Sequence, residues 1–408
     1  MTIAGIPVGS RGVPVVMYHS VGGLRPDWPE NYLITPLEVF EGQMRLLKDA
    51  GWTAITLKEL YDHMSSGKPL PPKPVVLTFD DGYLDNWVFA FPILRKYGHR
   101  GVVWMSTDFV DPSSEAKPTL EDVWHGRRGL SDLEERGYLS WKEMREMSEA
   151  GVLETQSHAA THTWYPKGPR IVDFHRPSGV DGYNPPPWLA WNRFPQRKYE
   201  SLTARLEDIV PYGTPVYECG KSLQTVRYLE DPGLAERLAD AVRQGGGADF
   251  FRRPGWREEL NKVVEDYGER RDGFETEAAY AERVRRELSE SKRLIEKHVG
   301  KGVDFLCWPG GAWNKIAMEI AFDVGYLSTT THFEDPVRRN TFGQDPREIN
   351  RIGCASPWAW RAGVIFHHTD PGFFIAGLDY FAGSRKSLWT MRAYKLKYLL
   401  RYYLTGKT

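Results

Sequence analysis

Two carboxylates and two imidazoles, at spacings that suit metal-assisted hydrolysis, stand out in this 408-residue sequence. Asp80 and Asp81 follow directly on the apolar run PVVLTF (Pro74 to Phe79) and precede Gly82. At the end of a strand, neighbouring side chains point in different directions, so one carboxylate can bind a metal while the other faces a reacting water. Asp-Gly is also common turn chemistry, and the pair alone does not choose between the two. His158 and His162 lie in SHAATHTW, after a second strand-like stretch. A four-residue interval presents both imidazoles on one side if the segment turns helically. Two histidines and one carboxylate form a ligand set for catalytic zinc or another divalent ion, with a position left open for water.

The segments TFDDGY (Thr78 to Tyr83) and SHAATH (Ser157 to His162) resemble the first two signature motifs of the NodB-type polysaccharide deacetylases, the family 4 carbohydrate esterases. With the stretch SESKRLIEKHVGK and the segment FLCWPGGAWN (Phe305 to Asn314), the similarity extends over residues 13–162 and 275–352. Asp-Asp-Gly alone is weakly specific, whereas the ordered set with a strand before each piece is highly specific. The resemblance implies that Asp81, His158 and His162 hold a divalent metal, Zn2+ first among the candidates, and that Asp80 is the general base. It places an oxyanion-stabilising N–H near Pro309, Gly310 and Gly311, beside Trp308. A general acid is also required, because the leaving amine must be protonated. In most of the family a histidine near the C-terminal end serves. Here His19, in VVMYHSV, resembles the poly-N-acetylglucosamine deacetylase branch, whose histidine motif is permuted to the N-terminus. His367 and His368 (FHHTD) compete for the role, and His19 is preferred.

The third motif of the family typically reads Arg-x-Pro-Tyr, whereas this chain has Cys307, Trp308, Pro309 and Gly310. The arginine that would orient the base is absent there, and Arg351 in INRIG is the candidate to replace it. Glycine in place of tyrosine removes a wall of the pocket. The implied activity is hydrolysis of an N-acetyl group on a glycan. Two rivals stay open: an O-acetyl esterase or small cyclic-amide hydrolase on the same scaffold, and a non-catalytic carbohydrate-binding protein. A protein that only binds sugar has no physical need for both acids and the histidine set.

Elements that could position these residues alternate along the chain. Val13 to Tyr18, Thr53 to Leu57, Pro74 to Phe79, Gly101 to Met105 and Val152 to Ser157 read as strands. Pro36 to Ala50 (with Thr35 to cap it and Gly51 to stop it), Leu57 to Ser65, Val88 to Tyr97 and Trp141 to Ala150 read as helices. Such βα alternation predicts an α/β fold with its chemistry at the carboxyl ends of parallel strands. The resemblance makes it a distorted (β/α) barrel of seven strands. From Thr163 to Phe274 prolines cluster and the strand rhythm is lost, which predicts a loop-rich inserted cap. A long helix from Glu275 to about His298, a strand over Val303 to Trp308 and a helix over Trp313 to Val324 then resume the pattern. The expected organisation is barrel over 1–162, cap over 163–274, barrel over 275–360 and a helical extension over 361–408. Trp188, Trp191, Tyr212, Tyr217 and Trp256 are cap aromatics that could touch sugars or simply pack.

A formal net charge of −1 gives no bulk attraction to nucleic acid, so no such partner is expected. Three cysteines, Cys219, Cys307 and Cys354, are too few and too far apart for a disulfide framework or a thiolate zinc site. The first residues lack a charged start and an apolar stretch, and no long apolar run follows, so the expectation is a cytoplasmic chain. The basic, Leu- and Tyr-rich stretch Trp389 to Lys407 could make peripheral contact with a membrane. The reading favoured from sequence is a terminal helix docked on the barrel.

Overall fold

The computed structural model describes residues 12–25, 28, 30–268, 272–331, 339–353, 358–359, 364–366 and 370–406. The chain divides into two compact units: one comprises residues 1–159, 291–311 and 325–408, the other residues 160–290 and 312–324.

The first unit is built on seven parallel strands: β1 (Val15–Tyr18), β2 (Pro74–Phe79), β3 (Gly101–Met105), β4 (Leu153–Ser157), β5 (Phe305–Leu306), β6 (Ser328–Thr331) and β7 (Glu348–Asn350). Each strand pairs with its successor in this series, and Thr53–Ala54 adds a short parallel pair on the edge of β2. A bridge between Val16 and Ile352, with Met17 N–H donating to the Ile352 carbonyl at 3.1 Å and Ile352 N–H to the Val15 carbonyl at 2.8 Å, brings the last strand back to the first. The result is a nearly closed barrel of the expected (β/α) type.

Strands β1, β2 and β3 are apolar and largely β-branched because residues on both faces are buried, as parallel sheets require. One buried cluster joins Val15, Val76, Val102, Trp104, Phe305 and Ile349 from five of the seven strands. Leu57, Leu60 and Met64 of α2 (Leu57–Ser66) pack into the same cluster. That helix starts on a capping box, Thr56 with Glu59, and ends at Gly67 in the left-handed region. Helices α1 (Leu37–Asp49), α3 (Phe91–Tyr97), α4 (Trp141–Glu149) and α5 (Glu277–Val299) fall where the apolar spacing puts them, but α3 is preceded by a π-turn over Asn86–Ala90. Thr35 does not cap α1: it sits in the short strand Ile34–Pro36, and Pro36 at the cap position offers no side-chain hydrogen bond. Strand β6 reads STTT, and its lack of apolar residues hides it in the sequence. The chain closes on α6 (Pro371–Phe381) and α7 (Arg385–Thr405).

The second unit has its own core of Phe174, Leu234, Leu238, Val242, Phe250, Phe251, Trp256 and Leu260. It is more regular than its prolines suggest. An 11-residue strand, Trp164–Phe174, pairs antiparallel with Pro215–Lys221, and helices Pro232–Gln244 and Trp256–Asp266 follow. The irregular register between Pro166 and Ile171 shows how this strand accommodates Pro166 and Pro169.

Candidate active site

Barrel register turns sequence position into proximity. Tyr18 pairs with Phe79, Met105 with Ser157, Ser157 with Leu306 and Thr331 with Asn350. The residues immediately past these strand ends are His19, Asp80, His158, Cys307 and Arg351. Backbone bonds continue the ladder through them: Asp80 N–H donates to the Tyr18 carbonyl, His158 N–H to that of Met105 and Cys307 N–H to that of Ser157, each at 2.9 Å.

Asp80 is the electrostatic centre. It is 4% exposed, and its Oδ1 accepts from Arg351 Nη1 at 2.6 Å. Its Oδ2 lies 3.8 Å from both His19 Nε2 and Cys307 Sγ. Burial works against the Asp80 anion, but the cation of Arg351, aided by His19 and His158, outweighs it and holds the carboxyl below its usual range. Burial likewise opposes the Arg351 cation, yet Asp80 keeps it fully charged. Arg351, the candidate from sequence for the absent motif arginine, meets Asp80 from the end of the last strand.

The next residue points elsewhere. Asp81 adopts φ 71°, in the left-handed region, so its carboxylate departs from the direction of Asp80. Gly82 repeats that conformation at φ 70°, and a Cβ there would strike the Met105 sulfur, so glycine is required on both counts. Asp81 Oδ1 lies 3.3 Å from His158 Nε2. His158 is 1% exposed, and its Nδ1 bonds the Cys307 carbonyl at 2.8 Å. That bond fixes the ring as an Nδ1–H donor and turns the Nε2 lone pair inward, the arrangement expected of a metal-ligating imidazole. His162, four residues along the same loop, completes a group with Asp81 and His158 whose donor atoms all lie within 4.8 Å of one another. This donor set fits a divalent cation. Burial disfavours the His158 imidazolium, but Cys307 and Asp81 beside it raise its proton affinity well above the ordinary value.

The loop that carries His162 is pinned by side chains that no local motif marks out. Ala159 and His162 have φ of 57° and 39°. Between them, Thr161 donates from N (3.2 Å) and Oγ1 (2.7 Å) to Glu287 Oε1 and accepts from Lys198 Nζ at 2.8 Å. Glu287 and Lys198 are 5% and 1% exposed. The loop that carries His19 is held in the same manner. Buried Asp85 accepts from Ser20 Oγ, from Val21 N at 3.1 Å and from Arg25 Nη2 at 3.2 Å, while Asn86 Nδ2 donates to the His19 carbonyl at 2.9 Å.

Other expected residues sit as follows. Pro309–Gly311 form a single tight turn with Gly310 at φ 54°. Within it, Gly311 N–H donates to the Trp308 carbonyl at 2.9 Å, and Trp308 N–H donates to Thr330 Oγ1 at 3.3 Å. Trp308 is 1% exposed, so its ring belongs to the core and offers no platform for a sugar. Tyr217 and Trp256 are buried within the second unit, and Trp188 stacks on Trp164 at 5.0 Å. His367, His368 and Cys354 lie outside the described residues.

Residues 67–175 match the family model for polysaccharide deacetylase. A stretch of 93 residues, 23% of this chain, is 38% identical to the protein YxkH of Bacillus subtilis (strain 168), whose name places it among polysaccharide deacetylases. A stretch of 159 residues, 39% of the chain, is 26% identical to the poly-beta-1,6-N-acetyl-D-glucosamine N-deacetylase of Escherichia coli (strain K12). These matches span 31% and 21% of the two relatives. Among solved structures, a de-N-acetylase from Aggregatibacter actinomycetemcomitans superposes with a TM-score of 0.50 over 83% of this chain and 94% of its own, at 17% identity, a likeness of fold.

Proposed function

We propose that this chain, whose residues 67–175 match the polysaccharide deacetylase family, hydrolyses N-acetyl groups on a glycan, releasing acetate and a free amine. The relative from Escherichia coli, named for poly-beta-1,6-N-acetyl-D-glucosamine, suggests an N-acetylglucosamine polymer as the first substrate to try. The observation that carries the reading is the convergence of Asp81, His158 and His162 donor atoms beside a buried carboxylate, Asp80, that Arg351 keeps ionised.

Asp81, His158 and His162 would hold a divalent cation, and two imidazoles with one carboxylate favour zinc. Bound there, the ion would supply Lewis acidity, polarising the amide carbonyl and easing deprotonation of water. Asp80 takes the proton from the attacking water. Its pairing with Arg351 fixes the orientation of its oxygens and keeps it ready as a base. His19, 3.8 Å from Asp80 at the same end of the neighbouring strand, gives a proton to the departing amine nitrogen. Atoms balance: water adds its oxygen to the acetyl carbon, the C–N bond breaks, and the nitrogen leaves protonated.

The test is acetate release from N-acetylglucosamine oligomers, with an O-acetylated sugar as the comparison. Wild type should release acetate from the amide, and Asp80→Asn should lose about 10²- to 10⁴-fold in kcat without loss of fold. Normal turnover by Asp80→Asn would remove the proposed base, and exclusive cleavage of the ester would replace the amidase reading with an esterase.

A further inference from the structure

The terminal helix α7 (Arg385–Thr405) presents two apolar faces, and among the described residues only one of them packs on the rest of the chain. The inner face is a tyrosine row at i, i+4, i+8. Tyr398 is buried and its hydroxyl accepts from Asp370 N–H at 3.2 Å. Tyr394 meets the Phe373 ring edge-on at 6.2 Å, and Tyr402 meets Phe366 at 5.7 Å. Docking on α6 and its flanks thus accounts for these three rings.

The opposite face is apolar as well, and open. Trp389, Leu396, Leu400 and Leu404 are 69%, 57%, 53% and 83% exposed, and their spacing of seven, four and four places them in one stripe. Tyr403, 71% exposed, widens it. Exposed Leu and Trp scattered singly need no explanation, but a continuous stripe along 16 residues does. The charges beside it are all of one sign. The helix RKSLWTMRAYKLKYLLRYYLT carries six Lys or Arg and no Asp or Glu, in a chain whose formal net charge is −1. Lys386, Arg392 and Lys397 are exposed and flank the stripe by helical geometry, and Arg392 lies 4.9 Å over the Trp389 ring. The facing carboxylate is Asp370, which pairs with Lys397 at 3.2 Å.

We propose that this outer face of α7 binds the surface of an anionic lipid bilayer. Trp389, Leu396, Leu400 and Leu404 enter the interface, and the flanking cations meet lipid phosphates. Charge complementarity selects the occupant: a neutral apolar partner would leave the cations unanswered, whereas an anionic surface answers both features with one plane. The helix lies along the bilayer, since no described helix is long and apolar enough to cross one. The sequence reading favoured docking over membrane contact; here one helix does both with opposite faces.

The test is co-sedimentation of the full chain with vesicles of phosphatidylglycerol and phosphatidylcholine in equal parts, against vesicles of phosphatidylcholine alone. Wild type should pellet with the anionic vesicles and be released as salt rises from about 0.1 M to about 0.5 M. Leu396→Glu with Leu400→Glu should weaken that binding about tenfold or more, and Lys386→Glu with Arg392→Glu should weaken it similarly. Both pairs should keep wild-type thermal unfolding and acetate release, since none of these residues is in the candidate active site. The proposal fails if wild type stays in the supernatant with anionic vesicles, or if the variants pellet equally. It also fails if the leucine variants dissolve a dimer seen by sedimentation velocity while no vesicle binding occurs, which would make the stripe a contact between copies. The result is independent of whether the chain releases acetate.

Discussion

At the scale of single residues, the proposed base rests on the ion pair that Asp80 makes with Arg351. A buried carboxylate without its cation faces an uncompensated cost of several kcal/mol and takes up a proton instead. Arg351→Met should therefore lower kcat by about 10²-fold, while Arg351→Lys, which keeps the charge but not the fork geometry, should retain more. Steady-state rates on N-acetylglucosamine oligomers, with circular dichroism as the fold control, check this; equal rates for Met and Lys would deny the charge its part. Asp80, Asp81, His158 and His162 were legible because each stands beside its partner in a short local motif. Arg351 was legible only as a guess, because its meeting with Asp80 is made by the return of the last strand to the first. Lys198 and Glu287 carried no signal at all. A buried ion looks like any surface charge in a sequence, and its burial is decided by elements far along the chain.

At the scale of elements, strand ends deliver the chemistry and the following loops must be held still. The loop of His162 is held by Thr161 on Glu287 and Lys198. If His162 holds the proposed cation, a loop left loose should weaken it, since groups that orient a ligand typically contribute 10- to 100-fold to metal affinity. Lys198→Met should weaken zinc binding by about tenfold in competition with a chromophoric chelator, and Thr161→Ser should not. An unchanged affinity for Lys198→Met would leave the lysine a purely structural role. Strand β4 offers a second measurable effect. Glu154 on it is pushed up to about 7 by burial, with the Leu57 N–H opposing and Asp304 adding to the shift. The folded state then keeps its proton while the unfolded chain ionises near 4.5, so stability falls as pH rises from 4.5 to about 7. Glu154→Gln should flatten the unfolding free energy from urea titrations across that window, a change of about 3 kcal/mol at its upper end. A wild-type profile that rises over the same range would contradict this. Elements with apolar period were read correctly from sequence, whereas the polar strand STTT and the proline-bearing strand Trp164–Phe174 were not, because neither shows the alternation that marks a strand.

At the scale of the whole molecule, the seven strands fix where distant residues meet, and the second unit carries its own core. Sequence texture marked a change near Thr163, and the compact units divide after residues 159 and 290, but the internal order of the second unit depends on pairings between Trp164–Phe174 and Pro215–Lys221 that no local pattern announces. The proposed chemistry requires one cation held by Asp81, His158 and His162. Elemental analysis of the purified chain after dialysis against limiting zinc tests it most directly. One equivalent per chain in the wild type and in Asp80→Asn, falling to near none in His158→Ala, is the predicted result; a wild type that retains no ion, or a His158→Ala variant that retains a full equivalent, would contradict it.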